Sequence, residues 1–204
     1  MKLEKLFILC LAISSIGISL VNGTDIDQNT QLSTIENVNI DIVKQEWTKR
    51  HNQERKKYGL DGYILNQDFN ISAKTRSDKL SKSGKLRNLH QRSTKDGYYS
   101  YGNIKSWFQN LGVDFEDVNG TLFTESIGRG YYKCNKTDCT QDLIKSIKST
   151  FKFFMSEKGR SRKPHYNGIV SSNFSNMGVG ISIDKKTNRY FLVSHYGVNT
   201  INTK

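Results

Sequence analysis

Proline is almost missing from this chain, with one residue in 204, and the scarcity argues against a long unstructured linker inside it. Only three cysteines occur, too few for a scaffold held mainly by disulfides. After the first twenty-odd residues no stretch is long and apolar enough to cross a bilayer. No internal repeat is present. Three catalytic signatures are missing too: no Gly-x-Ser-x-Gly elbow, no His-Glu-x-x-His pair and no second Cys/His pair to make a zinc knuckle. Acidic residues are in deficit, 19 against 31 Lys and Arg, for a formal net charge of +12. That balance favours anionic partners such as membrane surfaces or acidic glycans. It also fits nucleic acid, which export from the cell makes the least expected of the three.

The N-terminus supplies the case for export. Lys2 and Lys5 precede an apolar run from Leu6 that ends in Val21-Asn22-Gly23, which reads as a secretory signal peptide, 1–23. A retained anchor is the alternative, against which Ser14, Ser15 and Ser19 interrupt the run. Cleavage after Gly23 removes Lys2, Lys5 and Glu4, leaving 181 of 204 residues and a net charge of +11, about one domain. Cys10 leaves with the signal. Cys134 and Cys139 remain, and in an oxidising compartment they close a small disulfide loop. Asn70, Asn119, Asn135 and Asn173 each begin an Asn-x-Ser/Thr triplet, a glycosylation acceptor if the host is eukaryotic and meaningless if it is bacterial.

Residues 24–39 are polar without a sustained period and read as a flexible arm before a domain at 40–204. Ile40 to Tyr58 places Val43, Trp47, His51, Glu54 and Tyr58 on one helical face. A second helix is predicted over Gln67 to Leu89, with His90 directly after it, a short one over Ile104 to Leu111, and a third long one from Asp138–Thr140 through Phe154. Thr121 to Ile127 and Tyr131-Tyr132 read as extended. Met177–Ile183 and Tyr190–Tyr196 read as two strands joined by a polar hairpin turn. Helices against a short antiparallel sheet make an α+β domain of two or three layers.

These residues resemble the CAP superfamily, the secreted domain of cysteine-rich secretory proteins, insect antigen 5 and plant pathogenesis-related proteins of class one. The opening motif appears as His51-Asn52 with Arg55 and Gly59-Leu60. A helix introduced by Ile64-Leu65-Asn66 follows, with Ala73. The family histidine is similar to His90, the Gly-Glu-Asn motif to Thr124-Glu125-Ser126-Ile127, and the closing motif to His165 with Ile169-Val170 and then Gly178-Val179-Gly180. The resemblance covers Val43 to Gly197. Departures are the lost Gly and Asn around Glu125, an insertion-like Asp96 to Gly120, and no Trp in the third long helix, where Phe153 or Phe154 takes the place. The register leaves open whether Ser156 or Glu157 matches the second family glutamate.

The resemblance implies a three-layer α-β-α sandwich with a short, mainly antiparallel sheet between helices. It also implies a cleft in which His90 and His165 bind a divalent ion such as zinc, beside the carboxylates Glu125 and Glu157, and a possible groove for a lipid or sterol. Two imidazoles leave open coordination positions and hold a metal more weakly than three-ligand catalytic sites, so the ion is expected to be labile. Each residue also has a plain reading. Glu125 fits an exposed strand face, Glu157 a solvated helix end, His51 a packed and hydrogen-bonded group, and His195 a surface position. The basic residues of the second helix and its end (Lys74, Arg76, Lys79, Lys82, Lys85, Arg87, Arg92) and of the loop before His165 (Lys158, Arg160, Arg162, Lys163) fit solvated faces. Two functions remain: an exported binding protein for a lipid or surface partner, and a metal-assisted or serine-type peptide hydrolase with Ser93 beside His90 as its nucleophile.

Overall fold

Alternate glycines decide how the layers approach. Gly178 and Gly180 lie on one strand and point the same way. A Cβ built on them would sit 2.1 Å from the main-chain carbon of Phe69 and 2.1 Å from that of Ala73. The helix carrying Phe69 and Ala73 therefore rests on the sheet backbone to backbone. Only hydrogen atoms fit between them.

The computed structural model describes residues 34–35, 38–93, 95, 97, 99–115, 123–134, 136–184, 186–198 and 200–201, all within one compact unit, Ser33–Lys204. The signal reading of 1–23, most of the arm, and Asn119 and Asn135 lie outside them. In chain order come β1 (Thr34–Ile35), β2 (Val38–Asn39), α1 (Ile40–Lys56), β3 (Ile64–Leu65), α2 (Gln67–Ser83), α3 (Tyr101–Gln109), β4 (Asp114–Phe115) and β5 (Phe123–Tyr131). Then follow α4 (Thr140–Met155), a 3-10 turn (Ser156–Gly159), α5 (Pro164–Val170), β6 (Asn176–Asp184), β7 (Arg189–Gly197) and β8 (Thr200–Ile201). The main sheet runs β3-β6-β7-β5. It is antiparallel except for the short parallel pair β3/β6. Small ladders β1/β2 and β4/β8 stand apart from it.

The sheet is the middle of three layers, as expected. Ala73 and Leu80 of α2 pack with Ile127, Phe191 and Val193 on one face. Phe69, Ile104, Phe108 and Phe123 extend that side under α3. The other face, with Val179, Ile181, Leu192 and Tyr196, joins α1 and α4 through Trp47, Leu143, Ile147 and Phe154 in the largest core cluster. β6 and β7 are thus covered on both sides, and nearly every residue along them is buried.

Local chemistry sets the ends of the elements. Asn39 and Asn66 accept from the amides of Ile42 and Phe69, capping α1 and α2. Gly84 adopts φ 59° just past Ser83, so α2 ends there and not at Leu89. α3 begins at Tyr101, earlier than predicted, on the Ser100 cap. Of the polar segment 24–39, Val38 is buried, and Asn39 N donates to Thr140 Oγ1 at 2.8 Å, tying the start of α1 to that of α4. Cys134 and Cys139 are bonded, closing the loop that precedes α4.

The family-like residues of α1 act as fasteners. Asn52 accepts from Tyr63 N at 2.7 Å and donates to its carbonyl at 3.3 Å. Arg55 is buried and donates to the carbonyls of Asp61, Ile169, Ser171 and Phe174 while lying 3.8 Å over the Tyr63 ring. Tyr58, predicted inward, is exposed. His51 is buried as expected: Nδ1 donates to Trp47 O at 2.9 Å, and Nε2 accepts from the Tyr196 hydroxyl at 3.0 Å. Burial lowers its pKa from 6.5 to about 4.

Two outcomes follow. Gly180→Ala must push α2 off the sheet and is expected to lose about 3 kcal/mol of stability, whereas Gly102→Ala, with nothing within 4 Å of the new methyl, should be neutral or gain about 0.5–1 kcal/mol; urea unfolding of both variants measures the contrast. The folded state keeps His51 neutral, so its contribution is complete above pH 6.5 and is lost as the pH falls from 6.5 towards about 4. That span is worth on the order of 3 kcal/mol. Unfolding free energies measured between pH 7.5 and 4.5 should decline, and a flat profile would contradict the buried neutral imidazole.

Candidate functional site

Glu125 projects from β5 towards α2 and is fully enclosed. Its register partner on β7 is His195, whose Nε2 donates to Oε2 at 2.9 Å. His90 Nδ1 donates to Oε1 at 2.8 Å. Arg92 closes the set as a fork, 3.2 Å from Oε1 and 2.7 Å from Oε2. Each carboxylate oxygen thus accepts two hydrogen bonds, which fills its acceptor capacity. Burial alone would raise the pKa of Glu125. The Arg92 charge and the bonds from His195 and His90 outweigh it and hold the acid well below the usual carboxylate range. Glu125 is a permanent buried anion.

The surroundings lock this group. His195 is completely buried, not on the surface, and its Nδ1 lies 2.8 Å from Ser72 Oγ on α2. Burial lowers its pKa, so the ring is neutral with its proton on Nε2, and Ser72 donates to Nδ1. The Arg92 side chain is 7 % exposed and lies 4.6 Å over the Trp107 ring. Phe108 meets His195 edge-on at 4.5 Å. Arg76, also buried, donates to the carbonyls of Leu89 and Gln91 and so holds the loop that presents His90. Arg76 and Arg92 therefore leave the solvated basic face assigned to them, and Glu125 leaves the exposed strand face.

The second pair is built at the turn between α4 and α5. Glu157, not Ser156, turns inward; Ser156 is exposed. Glu157 Oε2 accepts from the amides of His165 at 3.0 Å and Tyr166 at 3.4 Å, capping α5 after Pro164, while Oε1 accepts from His165 Nδ1 at 2.7 Å. One carboxylate thereby starts the helix and orients its histidine. Phe154 stacks on the His165 ring at 4.1 Å and 15°, whereas Phe153 is exposed. Burial lowers the pKa of His165 despite the opposing pull of Glu157, leaving a neutral ring.

His90, Glu125 and His165 line one cavity of about 940 Å³, walled by Tyr99, Tyr101 and Phe123 on one side and by the chain from Arg162 to Phe174 on the other. Glu157 stands behind His165. Both imidazoles donate Nδ1–H to a carboxylate, which leaves Nε2 as the ring nitrogen that a metal ion would take. Among the described residues no group of three His, Cys, Asp or Glu has a metal-holding arrangement. Ser93 is exposed, with its hydroxyl accepting from Lys95 N, and it is not among the residues that wall the cavity. Asn173 is exposed on the rim; Asn70 is half-buried in α2, its Oδ1 accepting from Val179 N at 2.9 Å.

Sequence reasoning missed Arg92 and His195. A charged residue in a basic run and a polar one near a strand end both read as solvated by default. The signal that could have found His195 is the run Tyr190-Phe191-Leu192-Val193 just before it, apolar on both faces of its strand, which marks burial on both sides.

Several known proteins share this architecture. The cysteine-rich secretory protein family, CAP, matches residues 48–196. Among solved structures, an outer surface protein of Borrelia burgdorferi aligns with a TM-score of 0.51 and 11 % identity over 77 % of this chain and 92 % of that one. The CAP domain of enterococcal PrgA gives 0.55 and 18 % over 78 % and 62 %. An extracellular SCP-domain protein of Bacillus anthracis gives 0.51 and 15 % over 79 % of this chain but 42 % of its own length. At such identities these structures share the fold alone. No curated protein matches the chain in sequence.

Removing the guanidinium leaves the buried Glu125 anion with imidazole donors alone. Arg92→Met should cost about 3–5 kcal/mol, against less than about 0.5 kcal/mol for the exposed Arg87→Met; equal urea midpoints for the two variants would contradict the arrangement around Glu125.

Proposed function

The chain belongs to the CAP family of cysteine-rich secretory proteins, and on that premise we propose that it is an exported binding protein whose cleft takes a labile divalent ion such as zinc through His90 and His165. One observation carries the reading: two imidazoles in one cavity, each oriented by a carboxylate on Nδ1. Such carboxylate–histidine pairs fix the tautomer that ligates through Nε2 and raise ligand basicity. Two nitrogen ligands and the nearby Arg92 charge both weaken the hold on a cation. A bound ion would supply a Lewis-acid position for an oxygen of the ligand. Glu125, with its acceptor capacity full, serves as the anchor of His90 and not as a base.

The ligand we propose is a lipid or sterol. A cavity of about 940 Å³ with four Phe and Tyr residues in its wall suits a body of that size, and Arg162 stands at the rim for an acidic head. The exposed Lys79, Lys82, Arg87, Lys158 and Arg160 suit an anionic membrane or glycan as the surface on which it works. Export rests on the N-terminal signal pattern. Among the described residues no helix is long and apolar enough to span a membrane. The serine-type form of the hydrolase alternative keeps only its sequence argument, because Ser93 is exposed; the metal-assisted form would use the same two histidines.

Isothermal titration of zinc into the wild type and a His90→Ala/His165→Ala variant tests the site. The variant should bind at least tenfold more weakly, about 1.4 kcal/mol. Equal affinities would remove it. Peptidase activity that survives chelators and vanishes in Ser93→Ala would instead favour the hydrolase.

A further inference from the structure

The main sheet ends at β5, a nine-residue strand with β7 on one side only. The Tyr99 hydroxyl bonds to the Thr124 side chain and the Glu125 main chain. Beyond that point, among the described residues, the main chain of Ser126–Tyr131 hydrogen-bonds to no segment but β7. Folded proteins usually shorten, bulge or cover a long edge strand, because its outward N–H and C=O groups are a template for another strand. Here the edge forms the floor of a second cavity, about 620 Å³. The walls of that cavity come from both layers: Leu89 on the α2 side, and Ser146, Thr150 and Phe153 of α4 on the other. It shares no lining residue with the histidine cleft.

The lips of this groove are aromatic and basic. Phe153 is 54 % and Tyr131 57 % exposed. Arg129 is exposed in the cavity wall, no acidic residue lines it, and Lys145 and Lys152 are exposed on α4 beside it. Arg189 lies 4.7 Å over the Tyr131 ring.

We infer that β5 receives an extended acidic peptide segment of a partner protein, added as a fifth strand along Ile127–Tyr131. Main-chain pairing supplies the affinity, and the alternation of side chains supplies the selection. Apolar side chains of the peptide meet Phe153 and Tyr131, and its carboxylates meet Arg129 and the α4 lysines. An acyl chain laid in the same groove would leave the outward amides and carbonyls of β5 unpaired in a dry contact, which is costly. A second copy of the chain pairing β5 to β5 would set Arg129 against its own kind in a molecule of net charge +12.

The test pans random decapeptides displayed on phage against the full chain and titrates the enriched sequences as acetylated, amidated peptides. Enrichment in Asp and Glu is expected. Affinity should fall at least tenfold when alternate peptide nitrogens are methylated, and at least tenfold on an Arg129→Glu/Phe153→Ala variant whose thermal melt and zinc affinity match the wild type. Bound peptide should slow amide exchange within Ile127–Tyr131. Failure to enrich any peptide, or indifference of the enriched ones to N-methylation or to the variant, overturns the inference. So does a concentration-dependent dimer that the same two substitutions dissolve, since it would assign the edge to a second copy.

Discussion

A carboxylate sealed inside a protein must be compensated by its neighbours, and Glu125 draws them from much of the domain. The desolvation cost of a buried ion is several kcal/mol. It is offset here by four hydrogen bonds and one full positive charge. Those donors come from β7 and from the loop after α2, which Arg76 fixes in turn. His195 leans on Ser72 of α2, and Trp107 and Phe108 of α3 cover Arg92 and His195. Sheet, helix, loop and the α3 layer are thus coordinated around one anion. The orientation of His90 in the cleft is a by-product of that compensation.

The second histidine is held by different means. Glu157 satisfies the amides at the start of α5, and the helix carries His165 on its first turn. Phe154, one turn back on α4, fixes the ring plane. Arg55 grips the carbonyls of Ile169, Ser171 and Phe174, so α1 braces the far wall of the same cavity. The two imidazoles are alike in chemistry, yet one hangs from an ionic knot in the interior and the other from a helix cap near the surface.

Much of the architecture was legible from the residues. The stripe Val43, Trp47, His51 and the run from Leu143 to Phe154 place α1 and α4, and the two apolar strands around a polar turn place β6 and β7. Gly178-Val179-Gly180 was visible as a motif; its reason, a helix at backbone contact, is a tertiary fact. The helix predicted to Leu89 stops at Gly84 because that glycine takes a left-handed conformation, a stop that the hydrophobic stripe does not reveal. α5 has seven residues, too few for a periodic signal, although Pro164 marks its first turn. The gathering of His90, His165, Glu125 and Glu157 around one cleft came from resemblance; that His90 meets Glu125 is shown only by the fold. No local pattern encodes a contact between residues 35 apart in the chain. Arg92 and His195 were misplaced for the same reason: exposure was assigned by residue type, and their burial depends on partners supplied by distant elements.

The closed state of the Asn70 triplet has a bearing on the life of the chain before it folds. Ser72, whose hydroxyl an oligosaccharide-transferring enzyme must engage, is wholly enclosed and bonded to His195, and the Asn70 amide is tied to the main chain of β6. Should the host be eukaryotic, a sugar could reach Asn70 only while α2 was still detached from the sheet. It would then stand in the way of that docking. Asn173, out on the cleft rim, carries no such deadline. Which of the two asparagines bears a glycan would therefore record whether closure of the helix over the sheet outran the transferase.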